Sequence, residues 1–126
     1  MSEERFSIAK RARSFVHAGR GIWLVFRYGH NAWLGIFCTV VTASFGLYFH
    51  ITPLEWVAVV FSCGFVLVSE AFNTAMEIHM NLTSPDHHPH ARDTKDVAAG
   101  AVVLAVLTTF IIGLIVFVPY FKALFS

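Results

Sequence analysis

Charged side chains are what this 126-residue chain has least of: Asp, Glu, Lys and Arg make up 13% of it. An ordinary soluble domain carries about 25%. Hydrophobic residues reach 56% and the mean hydropathy is +0.65, which excludes a typical soluble globular class and points to a membrane protein. Cysteine is nearly absent as well. Cys38 and Cys63 both lie inside apolar runs, so they read as small buried hydrophobes rather than a disulfide framework or metal site. The N-terminal MSEERFSIAKRARSF has no continuous apolar stretch of the kind a cleavable signal peptide needs, so the first helix is expected to stay on the chain. No internal repeat or low-complexity tract divides the sequence, and its length suits one domain covering residues 1–126. A net charge of +1 says little by itself, because the nine Lys and Arg are spread unevenly; no nucleic-acid partner is expected.

What is there is three runs long enough to cross a bilayer, which takes about 20 apolar residues. Residues 32–50 and 97–121 contain no Lys, Arg, Asp or Glu; residues 54–76 contain only Glu55 and Glu70. The first two runs are separated by three residues and form a tight hairpin flanked by Tyr48 and Trp56, where an aromatic belt would sit. Six of the nine Lys and Arg precede the first run, and Arg92 and Lys95 follow the second. The N-terminus and the loop before the third run are therefore expected on the cytoplasmic side, with Lys122 the one dissenting charge. Before the first run, Ile8, Ala12, Phe15, Gly19, Ile22 and Phe26 recur at steps of three and four. That period predicts an amphipathic helix over residues 6–27, lying on the anionic inner leaflet or packed on the loop.

Within the second run, Glu70, Asn73, Thr74 and Glu77 share one helix face. Relative to Glu70 they fall at about 0°, −60°, +40° and −20°. A carboxylate inside a spanning helix costs roughly 2.5–3.5 kcal/mol, so such residues usually face a protein interior and mark function. Asn73 alone would suit simple interhelical bonding. Two aligned carboxylates suit a site better.

The run KDVAAGAV at residues 95–102 sets a cation and an anion before a small-residue helix start that admits close helix approach. Taken alone, Lys95 and Asp96 are ordinary interfacial and first-turn charges. The tract SPDHHPHARDT holds His87, His88 and His90, but Pro89 breaks the spacing and a polar loop is the plainer reading. The NLT at residues 81–83 matches a glycosylation acceptor on what is expected to be the cytoplasmic side, and so is accidental.

The run EAFNTAME, followed by HP at residues 88–89 and KDVAAGAV, resembles the prokaryotic-type diacylglycerol kinase family, which includes undecaprenol kinases. RSF at residues 13–15, HNA at 30–32 and LEW at 54–56 extend the resemblance along nearly the whole chain. It implies an all-α integral membrane protein, a surface helix plus three transmembrane helices, assembled as a homotrimer with active sites between protomers in the bacterial inner membrane. It implies transfer of the ATP γ-phosphoryl group to the primary hydroxyl of diacylglycerol or undecaprenol, with Mg2+; weaker metal binding or a shift of preference to Mn2+ or Zn2+ is expected only from the departure at Gly29 described below. Glu70 then matches the general base, Glu77 a metal ligand and Asn73 a supporting polar residue. Lys95, Asp96, Asp86 and His88 match nucleotide-contacting positions.

One departure matters. The family carries a metal-binding Glu two positions before the Asn of HNA, and here that position is Gly29. On the resemblance, Gly29→Glu would rebuild the metal pair. Asn81 also stands where the family often has Asp. Two alternatives stay open: a relative that binds lipid or nucleotide without turnover, and a small metal-binding or transport protein built on Glu70, Glu77 and the histidines.

Overall fold

The computed structural model describes residues 7–84, 86 and 88–126, without the side chain of His30. Phe6, the expected start of the surface helix, and His87 lie outside the described residues. Four helices follow in order: α1 (Ile8–Tyr28), α2 (His30–Phe49), α3 (Pro53–Thr83) and α4 (Pro89–Phe125). The last three are long and apolar enough to cross a membrane. Their large side chains point outward in numbers that water would not tolerate. Phe61 is 74% exposed, and Val60, Phe65, Leu104, Phe110 and Ile115 are exposed with it, the condition of a surface solvated by hydrocarbon.

The hairpin between α2 and α3 is built from local chemistry. His50 turns left-handed (φ 53°, ψ 52°), which ends α2 and lets the Ile51 amide donate to the Gly46 carbonyl at 3.2 Å. Thr52 then caps α3. Its hydroxyl accepts from the Glu55 amide at 3.2 Å, while Glu55 Oε1 accepts from the Thr52 amide at 3.1 Å, and Pro53 supplies a first-turn residue with no amide to satisfy. Glu55, one of the two acids in that run, is thereby given structural work. Its Oε1 also accepts from the Tyr120 hydroxyl at 2.6 Å, tying the start of α3 to the end of α4.

The buried core sits at this end. Ile51, Val59, Cys63, Val116 and Phe117 form it, and Phe49, Trp56 and Phe121 pack against it, Phe49 and Phe121 edge to face at 5.0 Å. Gly46 is where α2 must approach Trp56. A Cβ there would lie 2.6 and 2.8 Å from the far edge of the indole and 3.1 Å from Ile51 Cδ1. Gly46→Val is expected to destabilise the hairpin by about 1–3 kcal/mol, the usual range for overpacking. The midpoint of SDS-induced unfolding in mixed micelles measures it.

The two long helices α3 and α4 pack along much of their length, and α2 touches α3 less. Thr109 Oγ1 donates 3.1 Å to the Ser62 carbonyl across the α3–α4 contact. At 1.5 Å per residue, the 31 residues of α3 and 37 of α4 measure about 46 and 55 Å, well beyond the roughly 30 Å apolar thickness of a bilayer. The excess carries the charges: the last turns of α3 and the first turns of α4 form a polar extension holding Glu77, Arg92 and Lys95.

The start of α4 is a correction. Helix begins at Pro89, so His90 to Thr94 are helical rather than loop. Pro89 is suited to a first helical position, and the His88 ring caps it, Nδ1 accepting from the His90 amide at 3.2 Å.

Candidate functional site

Glu70 is 2% exposed, buried on the inward face of α3. One turn later Thr74, 5% exposed, donates its hydroxyl to the Glu70 carbonyl at 2.9 Å. This turn packs against the break between α1 and α2. Gly29 is both the cap that ends α1 and the residue that opens α2, with its amide donating to the Val25 carbonyl at 2.8 Å. A Cβ at Gly29 would lie 2.6 Å from Val25 O and 3.1 Å from Thr74 Oγ1. Two residues on, the Asn31 side chain lies beside the Glu70 carboxylate. The indole of Trp33 folds back over this break, Nε1 donating to Phe26 O at 2.9 Å, and Ala32 is completely buried. The buried carboxylate therefore sits beside the junction of α1 with the first membrane-length helix, α2.

A second feature lies at the polar extension. An open cleft of about 710 Å3 is lined by Asp86, His88, Arg92, Asp93, Lys95 and Asp96. Lys95 Nζ donates to Asn81 Oδ1 at 2.7 Å, bridging the end of α3 and the second turn of α4. The four positions matched to nucleotide contacts, Asp86, His88, Lys95 and Asp96, are thus brought together.

The other members of the stripe divide. Asn73, half-buried, lines a separate cleft between α3 and α4 with Ser69, Asp93 and Thr94, while Glu77 is exposed. From Glu70 to Asn81 is 11 residues of helix, about 16 Å along α3. The buried carboxylate and the charged cleft are consequently apart within the chain.

Among the described residues, no three His, Cys, Asp or Glu side chains gather as a metal site. Glu77 stands as a single exposed carboxylate, and Mg2+ keeps several waters and often takes only one or two protein carboxylates. Glu77 does not make a protein-only cage.

Three residues here were not given a site role from the sequence. Arg92 sits three positions before Lys95, on the same face of a helix that sequence reading began only at residue 97. Asn81 and Asn31 act through long-range contacts, for which the sequence carries no local periodic signal.

The arrangement defines a class: a small helical membrane protein with a buried intramembrane carboxylate below a charged, water-facing cleft. The family described as prokaryotic diacylglycerol kinase matches residues 16–117. The chain is 34% identical over 117 residues to the undecaprenol kinase of Bacillus subtilis (strain 168), covering 93% of this chain and 95% of that one. It is 30% identical over 101 residues to the diacylglycerol kinase of a Synechocystis species, covering 79% of this chain and 58% of that longer protein. The chain belongs to the prokaryotic diacylglycerol kinase family, a family of lipid kinases.

Proposed function

We propose that the protein is an ATP-dependent lipid kinase that transfers the γ-phosphoryl group of ATP to the primary hydroxyl of a membrane lipid. The product is undecaprenyl phosphate or phosphatidate. Burial of Glu70 on the same helix that reaches the Lys95 cleft is the observation that carries the reading. Glu70 takes the proton of the lipid hydroxyl as its oxygen bonds to the γ-phosphorus; the bond from that phosphorus to the β,γ-bridging oxygen breaks, and ADP leaves. Phosphoryl transfer depends mostly on positioning and charge stabilisation, so the remaining tasks are electrostatic. Lys95 and Arg92 meet the phosphates, Asp86, His88 and Asp96 border the nucleotide, and Asn73 supports the site. Glu77 would hold Mg2+, or Mn2+ or Zn2+ in its place, and the ion would neutralise charge on the phosphates.

The rise of about 16 Å along α3 from Glu70 to Asn81, the partner of Lys95, favours a homotrimer in which neighbouring copies complete each site. None of the residues of α1 is buried, and Ile8, Phe15, Ile22 and Trp23 stand exposed on it, which suits a helix lying on the cytoplasmic face of the cell membrane. On this reading the N-terminus is cytoplasmic, which the positive charges before the first span support.

Undecaprenol is the lipid to try first, since the relative bearing that name is matched along more of both chains. A second reading, a member without turnover, is favoured by one observation: Gly29 has no room for a metal-binding side chain. Purified protein in mixed micelles, given ATP with Mg2+ or Mn2+ and either undecaprenol or diacylglycerol, tests both. Phosphorylation of either lipid supports the kinase; ATP binding without turnover on either lipid supports the second reading.

A further inference from the structure

The α2–α3 hairpin keeps one register along its length. Trp56 meets Gly46 near the turn, and 11 residues further along each helix Leu67 meets Gly35, where an added Cβ would lie 3.6 Å from Leu67 Cδ2. One more turn takes α2 back to Asn31 and α3 on to Glu70, a rise of about 4.5–6 Å on the two antiparallel helices. The register thus sets these residues across from one another, and the Asn31 side chain does lie beside the Glu70 carboxylate. The turn that carries Asn31 is itself held in place. Ala32 is completely buried, and Trp33 reaches back to α1, its Nε1 donating to Phe26 O at 2.9 Å and its ring 5.4 Å from that of Phe26. Among the described residues no ion pair holds the Glu70 carboxylate. A buried carboxylate without a cation is oriented by whatever donor stands next to it, and an ionised carboxylate only accepts.

We infer that Asn31 is a positioning residue for Glu70: its amide N–H holds one carboxylate oxygen and so presents the other to the lipid hydroxyl. The inference rests on the proposal that Glu70 is the base. The rival role for the same contact is a bond that only joins α2 to α3. A double-mutant cycle separates the two, because a residue that acts through Glu70 has nothing left to act on once Glu70 is replaced.

The experiment measures steady-state turnover of the full chain in mixed micelles, with ATP, Mg2+ and the better of undecaprenol and diacylglycerol. The variants are Asn31→Leu, Asn31→Ala, Glu70→Gln and each Asn31 change combined with Glu70→Gln; the midpoint of SDS-induced unfolding is recorded for all. Asn31 is exposed in the chain, so neither replacement overfills a packed site. Each single Asn31 variant is expected to lose about 10- to 100-fold in kcat, the range of a hydrogen bond to a charged group, with KM for ATP held and the midpoint close to wild type. Added to Glu70→Gln, the same changes should remove no further turnover. The full single-variant factor reappearing in the Glu70→Gln background overturns the inference and leaves the kinase reading intact, as does a kcat within two-fold of wild type in both single variants. A loss of activity that only follows a lowered unfolding midpoint assigns Asn31 to helix joining and overturns it as well. A wild-type protein that phosphorylates neither lipid overturns the kinase reading and the inference with it.

Discussion

Glu70→Gln is expected to lower lipid phosphorylation by about 10²- to 10⁴-fold, the contribution of a positioned general base, without weakening the fold. The two halves of that expectation come from the same observation. Glu70 is 2% exposed on a helix that crosses the membrane, a location that costs a carboxylate roughly 2.5–3.5 kcal/mol on insertion scales. The amide of Gln has nearly the same shape, can still meet Asn31, and does not carry the charge that makes the site costly. A residue retained only to hold helices together would behave in the opposite way, since replacing it would loosen the α2–α3 contact. Turnover and the midpoint of SDS-induced unfolding should therefore move in different directions: turnover collapses while the midpoint stays or rises. Turnover within a few-fold of wild type in Glu70→Gln would remove Glu70 from the chemistry.

The parts of this architecture that were legible in the sequence are those governed by a single local rule. Residues 32–50 and 97–121 carry no charge, so hydropathy alone marks them as spans. Glu70, Asn73 and Glu77 share a face because the helix period is 3.6, and that much holds. The period could not show that the stripe lies across the boundary between two environments, with Glu70 turned inward, Asn73 lining the α3–α4 cleft and Glu77 in the open. The early start of α4 was hidden for a related reason. Its first turns are polar and carry no apolar stripe, and the local signals that open the helix are a proline and a histidine cap. The Lys95–Asn81 bond spans 14 residues and joins two helices, which no local pattern announces. Glu55 is the reverse case. The sequence gives it no role beyond being one of two acids in an apolar run, and the cap and the Tyr120 bond account for it.

Gly29→Glu, the change that the family pattern would suggest as a repair, is expected to damage the protein. The break between α1 and α2 is closed by the Gly29 amide bonding to Val25 O at 2.8 Å, and that carbonyl occupies the space a side chain would need, 2.6 Å from an added Cβ. On the other side Thr74 Oγ1 is 3.1 Å away, held in place by its bond to the Glu70 carbonyl at 2.9 Å. Any side chain must lift the last turn of α1 or push α3 away at the turn that carries Glu70. Gly29→Ala isolates this steric cost, about 1–3 kcal/mol by the usual measure of overpacking, and Gly29→Glu should cost at least as much. Because the disturbed turn holds Glu70, activity should fall in both variants, and the Mg2+ concentration for half-maximal activity should not drop in either. A Mg2+ requirement lowered several-fold in Gly29→Glu alone, with an unfolding midpoint like that of wild type, would mean instead that the junction can rebuild as continuous helix and present a carboxylate beside Glu77. The absent ligand would then be a substitution the fold tolerates, whereas the close packing of Gly29 against Val25 and Thr74 marks it as one the fold has been shaped around.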